Sequence, residues 1–247
     1  MEDMGPRVHK ALQNRRGLEF IISAKFSTGL CRPDFFNWPE HMREVVSKYK
    51  PNLVVFFLGA NDGMPMRTEN RKYVQPGTAI WRETYKSRMD ELVSIAREAD
   101  MDIIWIELPA VGGRYNKLLH DTQIAQREYC EANGIENLQT DPLFSGVWGK
   151  YEAFGEYNGK TVRLRVKDMT HLAPSGSRKV LDHLLPILEK HLISFYHSHP
   201  ECALSEEEAA GIRRCNAVYT CHYGRTKPKR KSKPKPQQQP VAPPPVS

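Results

Sequence analysis

Two near-continuous apolar runs, Asn52–Leu58 and Asp102–Glu107, stand out against an otherwise polar chain. Runs of this kind predict strands buried on both faces of a parallel sheet, whereas a half-exposed strand would alternate. Leu18–Ser23 and Ile135–Gln139 predict two further strands. Between them the spacing changes to that of helices. Trp81, Tyr85, Met89, Leu92 and Ala96 form one stripe, and Leu181, Leu184, Leu185, Leu188 and Leu192 form another. Strand and helix alternate throughout, which predicts a three-layer α/β/α sandwich around a parallel sheet with right-handed crossovers. One segment breaks the alternation. Lys150–Tyr157 and Thr161–Val166 are β-rich and joined by Asn158-Gly159, the signature of a two-residue hairpin turn. Its aromatic residues Trp148, Tyr151, Phe154 and Tyr157 either pack the hairpin onto the body or wall a cleft.

The pattern weakens toward the C-terminus. Pro186 is expected to interrupt or kink the leucine-striped helix. A short helix over Ser205–Arg214 is expected beyond it, capped by Ser205 with Glu208 three residues on. From Gly224 the chain is Lys, Pro and Gln, a composition that cannot bury a core. These boundaries divide the chain into a folded domain over 1–195, a Cys/His-containing extension over 196–223 and a disordered basic tail over 224–247.

Composition changes the picture in one respect. The net charge of +7 resides in the tail, which carries seven basic residues and no acidic one. Residues 1–223 are formally neutral, with 29 basic and 29 acidic side chains. A nucleic-acid-binding domain would carry its excess on the fold. The tail itself is expected to be solvated, with a weak contact to a polyanion (nucleic acid, anionic lipid or an acidic cell-wall polymer) as the alternative. No apolar run approaches the ~20 residues of a membrane-spanning helix. The N-terminus shows no basic region followed by an apolar core, so these residues do not read as a secretory signal. Cys31, Cys130, Cys202, Cys215 and Cys221 are an odd set, leaving at least one thiol unpaired. The last three fall near His197, His199 and His222, but without a close Cys-x-x-Cys pair they do not make a metal site. A disulfide among them is expected if the protein is exported, and free thiols if it is not.

Two short motifs carry chemistry. Leu58-Gly59-Ala60-Asn61-Asp62 ends the first apolar run, and Asp168-Met169-Thr170-His171 precedes the last long helix. By itself the first reads as a turn, since Gly, Asn and Asp favour turns. In this order and on these elements, the two resemble the third and fifth sequence blocks of the SGNH (GDSL-type) hydrolase superfamily of esterases and acyl hydrolases. Arg32-Pro33-Asp34-Phe35-Phe36-Asn37-Trp38-Pro39 resembles an exported bacterial branch of that superfamily. The resemblance spans roughly residues 3–195.

The resemblance implies an SGNH/flavodoxin-like sandwich, no cofactor and no metal. Its substrate would be a small-molecule or carbohydrate ester, acyl or O-acetyl. His171 corresponds to the general base, and histidine is the side chain whose ordinary titration range suits proton transfer at neutral pH. Asp168 corresponds to the carboxylate that orients it. Asn61 corresponds to an oxyanion-hole amide, Gly59 to the tight turn presenting that amide, and Asp62 to a structural acceptor. Gly29, in Ser27-Thr28-Gly29-Leu30, is the candidate for the second-block oxyanion donor. Leu172 and Gly176 continue the pattern after the histidine. Ala173 replaces the usual Ser or Thr helix cap, and Pro174 suits the first helical position without it. A periplasmic or extracellular location is implied, with any export signal lying upstream of Met1.

The departure is the first block. No Gly-Asp-Ser occurs in the sequence, and the serine nucleophile belongs to a strand that should precede Met1. Of Ser23, Ser27, Ser47, Ser87, Ser94 and Ser145, only Ser27 is expected on an active-site loop. Loss of a central strand would expose the backbone edges of its neighbours. N-terminal truncation of an ester hydrolase is therefore the favoured expectation. A pseudoenzyme, or a ligand- or glycan-binding module on the same fold, is the alternative.

Overall fold

A computed structural model describes residues 4–12, 18–68, 70–199 and, as backbone, 216–221. The central sheet is parallel. Its strands are β1 (Leu18–Ser23), β2 (Leu53–Phe56), β5 (Asp102–Ile106), β6 (Glu136–Leu138) and β9 (Asn216–Cys221), in the order β1-β9-β2-β5-β6. Two small antiparallel pairs lie outside it. They are β3 (Met66–Arg67) with β4 (Tyr73–Val74), and β7 (Phe154–Tyr157) with β8 (Lys160–Arg163).

Alternate residues of the central strands feed two cores. Val54, Phe56 and Trp105 face one, with α2 (Trp38–Tyr49) and α3 (Ala79–Glu98) packed over them. Leu53, Val55, Phe57, Ile104 and Ile106 face the other, under α1 (Met4–Leu12) and α6 (Pro174–Ser198). This is the three-layer sandwich that the apolar runs predict. All five stripe residues of α3 are fully buried, and burying large apolar side chains of this kind stabilises by roughly 1.5–3 kcal/mol each. Local chemistry sets the helix starts. Asn37 accepts the Glu40 N–H at 3.2 Å and Thr78 accepts the Trp81 N–H at 3.2 Å, satisfying donors that a first turn leaves unpaired. Two further helices, α4 (Arg114–Ala132) and the single turn α5 (Asp141–Phe144), complete the body.

Three features differ from the sequence expectations. First, the helix is not interrupted at Pro186, because α6 runs unbroken from Pro174 to Ser198. The ring fixes φ near the helical value, and the cost is confined to one missing hydrogen bond and local crowding. Second, the hairpin forms on Asn158-Gly159, both with positive φ (53° and 70°), but its strands are shorter than the β-rich stretches. Third, the sheet has no gap beside β2. The backbone of β9 pairs in parallel with β1 through Leu18↔Asn216 to Ser23↔Cys221, and with β2 through Leu53↔Val218 to Phe56↔Cys221. The expected helix over Ser205–Arg214, the cysteines Cys202 and Cys215, and the 224–247 tail lie outside the described residues. No helix among the described residues is long and apolar enough to cross a membrane.

Candidate active site

In open parallel sheets, loops at the C-terminal strand ends gather the functional groups. Here the loop after β2 carries Gly59–Asp62. The chain leaving the β7–β8 hairpin reaches Asp168–His171 just before α6 begins. Together these loops line one small pocket of about 90 Å³, bordered by Lys25, Thr28, Trp38, Gly59, Asn61 and His171 among others. Two motifs separated by more than a hundred residues thus meet in space.

The Asp168–His171 turn is held from both ends of the carboxylate. One oxygen of Asp168 accepts the N–H groups of Thr170 and His171, each at 2.9 Å, while the other lies 2.6 Å from His171 Nδ1. Partial burial disfavours the ionised carboxylate, but those two N–H groups and the His171 ring outweigh it and hold its pKa below the ordinary value. The carboxylate therefore stays charged throughout the neutral range and fixes the imidazole in one orientation. The turn requires Met169 in the left-handed region, at φ 62°. Its carbonyl accepts Gly112 N–H at 2.8 Å, and Val166 N–H donates to the His171 carbonyl at 2.8 Å.

Beneath the turn lies a residue that sequence reasoning missed. Arg165 is buried and donates to the Thr170 carbonyl at 2.9 Å, with its guanidinium over the rings of Tyr151 and Phe144. Burial pulls its pKa down to about 10, opposed by Tyr151, Asp141 and Asp168. An arginine in a β-rich stretch gives no sequence signal that it will be buried, since exposed arginine is the rule.

On the facing loop, Gly59 adopts φ 121°, a backbone conformation that side chains disfavour. Its carbonyl accepts the Asp62 N–H at 2.9 Å, closing the turn that presents Asn61. The Asn61 amide donates to the Thr28 carbonyl at 2.9 Å, which ties it to the loop after β1. A primary amide carries two N–H donors, so that bond does not exhaust it. Asp62 points the other way, into the protein. Fully buried, it accepts Cys31 N–H at 2.8 Å and Tyr85 O–H at 3.0 Å. Burial pushes its pKa up, while the Cys31 and Leu30 N–H groups and the Tyr85 hydroxyl pull it back.

Gly29 does not line the pocket. It borders an adjoining cavity of about 40 Å³ that shares Trp38 as a wall. A Cβ on Gly29 would overlap an Asp62 carboxylate oxygen, so the absence of a side chain here has a packing cause. Ser27 is exposed, at φ 57°, and does not line the pocket either. A serine–histidine contact does exist elsewhere: Ser23 Oγ lies 2.6 Å from His41 Nε2, with Glu44 3.4 Å from His41 Nδ1. None of the three lines the pocket, and no sequence spacing pointed to them.

None of the hairpin aromatics lines this pocket, although Tyr151 lies under the Arg165 guanidinium that supports the Asp168–His171 turn. Trp148 packs on His120 and under Arg127, and Tyr157 donates to Asp182 at 2.6 Å. Cys31 and Cys130 are buried free thiols, and burial raises the pKa of both, Cys130 to about 12. Such thiols are inert as nucleophiles. Among the described residues no cluster of His, Cys, Asp or Glu has the makings of a metal site.

Loops at the C-terminal strand ends of this open parallel α/β sheet thus bring an Asp–His pair and an asparagine amide to one pocket. The chain belongs to the family described as "Protein of unknown function (DUF459)", whose model matches residues 1–187 and which is associated with SGNH hydrolases. No curated protein matches the sequence. Among solved structures it is similar to a GDSL-like lipase from Bacteroides thetaiotaomicron, at 15% identity and TM-score 0.46, over 76% of this chain and 98% of that one. It is also similar to TesA, at 14% identity and TM-score 0.43, over 70% of this chain and 98% of that one.

Proposed function

We propose that this domain holds the base, orienting and oxyanion parts of an SGNH-type ester hydrolase acting on an acyl or O-acetyl ester, with the nucleophilic serine on a strand that this sequence does not contain. The observation that carries the reading is the meeting of His171 and Asn61 in one pocket, with Asp168 2.6 Å from the imidazole. In that reading a serine hydroxyl attacks the ester carbonyl and its proton passes to His171. Asn61 donates to the oxyanion, and His171 returns the proton to the departing alcohol. Water then attacks the acyl-serine by the same route, releasing the acid.

Asn61→Ala tests the assignment in a form of the protein that carries a Gly-Asp-Ser strand. An oxyanion donor acts in the transition state, so kcat should fall roughly 10²–10³-fold with little change in KM. A rise in KM at unchanged kcat would instead make Asn61 a substrate-binding or loop-positioning residue.

A second reading has its own observation. The slot between β1 and β2 is occupied by the backbone of β9. The exposed sheet edges that would penalise loss of the first strand are thereby covered. This supports a non-catalytic protein that keeps the pocket for ligand or glycan binding.

A further inference from the structure

The cation beneath the dyad turn is costly in a way that packing does not explain. Arg165 is 1% exposed and pairs with no carboxylate among the described residues; Asp141 and Asp168 act on it only as more distant charges. Its Nε has no protein acceptor among the described residues. An apolar side chain would fill the space between Tyr151 and Phe144 without burying a charge, and such replacements are often neutral or stabilising. A local rule broken directly under a reactive group points to a use for the charge.

We infer that Arg165 is a positioning residue for His171, acting by gripping and polarising the peptide that joins Thr170 to His171. The carbonyl of that peptide accepts from the guanidinium at 2.9 Å. Its N–H, which belongs to His171, donates to one Asp168 oxygen at 2.9 Å, and the other oxygen lies 2.6 Å from His171 Nδ1. One amide plane is thus held at both edges immediately before the Cα that carries the imidazole. A cation on the carbonyl also strengthens the N–H at the far edge as a donor, because linked hydrogen bonds polarise one another. A stronger donor favours the ionised Asp168, which in turn selects the tautomer protonated at Nδ1 and leaves Nε2 bare. The guanidinium cannot drift from the turn. Arg165 bridges Leu172 through the backbone, Val166 N–H donates to the His171 carbonyl at 2.8 Å, and Ala173 N–H donates to the Leu164 carbonyl at 2.9 Å. The Tyr151 and Phe144 rings, 5.5 and 5.6 Å away, flank its planar head. The inference rests on the proposed hydrolase only for the use made of the bare Nε2.

The test reads the His171 tautomer by ¹⁵N NMR of the histidine-labelled 247-residue protein, with the signals assigned by their loss in His171→Ala. The parent is expected to hold His171 almost wholly in the neutral form protonated at Nδ1. Arg165→Met keeps the bulk and removes the charge and donors, so the ratio of the Nδ1–H to the Nε2–H form should fall roughly tenfold, about the net worth of one charge-assisted hydrogen bond. Arg165→Lys keeps the cation and should recover most of the parent ratio. If Arg165→Met does not fold, Arg165→Gln takes its place, and the same direction is expected because its amide is neutral. The parent ratio in the neutral variant, whatever its melting temperature, would overturn the inference, as would an Arg165→Lys variant as impaired as the neutral one. The tautomer is read without a nucleophile, so absence of ester hydrolysis in every form of the protein would count against the hydrolase reading alone.

Discussion

His171→Ala is expected to abolish nearly all hydrolysis of p-nitrophenyl acetate in a form that carries the Gly-Asp-Ser strand, a loss of roughly 10⁴–10⁶-fold in kcat. The size follows from how the parts act together. Without the base, the serine hydroxyl keeps its proton and only oxyanion and binding contributions remain. Asp168→Asn should cost about 10⁴-fold, because the amide cannot hold the imidazole in the tautomer that the carboxylate selects at 2.6 Å. Both residues are partly exposed, at 35% and 47% of their side-chain surface, so the substitutions should leave the melting temperature nearly unchanged. Equal activity of His171→Ala and its parent would remove the dyad from the mechanism.

The largest effect on stability is expected at Asp62. Its carboxylate is the buried acceptor for Cys31 N–H and Tyr85 O–H, and it sits against Gly29 where any side chain would collide. Alanine at this position strands two buried donors and opens a cavity. Each unpaired buried group costs about 1–3 kcal/mol, so a total of about 3–5 kcal/mol is expected. For a domain of this size that lowers the melting temperature by about 10 °C. The Asn61 loop should loosen with it, since Asp62 anchors the turn that Gly59 opens. A melting temperature within about 2 °C of the parent would mean that water or a rearranged Tyr85 replaces the carboxylate.

How much of this was legible in the sequence depends on how local each signal is. β2 and β5 announce themselves because strands buried on both faces must be apolar throughout. The α3 stripe is equally plain, since its buried side chains recur at the helical period. Asn158-Gly159 marks its turn through the positive φ values that few residues tolerate. The meeting of Asn61 with His171 was legible only through the order and placement of two motifs. What stayed hidden is non-local. Nothing in Asn216–Cys221 signals that its backbone will pair between Leu18–Ser23 and Leu53–Phe56. The Ser23–His41 contact depends on how α2 packs against the end of β1, and the burial of Arg165 on how the segment after β8 folds back, neither of which periodicity encodes. Gly29 illustrates a glycine read by motif as a donor, where the close approach of Asp62 gives a packing reason for the same residue.

The most direct measurement is to read the transcript and genomic DNA upstream of Met1 and assay both the extended and the 247-residue proteins on p-nitrophenyl acetate. The account predicts an in-frame Gly-Asp-Ser strand, with hydrolysis in the extended form and almost none in the shorter one. A stop codon directly upstream, with no hydrolysis by the chain, would contradict it and leave ligand binding as the function to pursue.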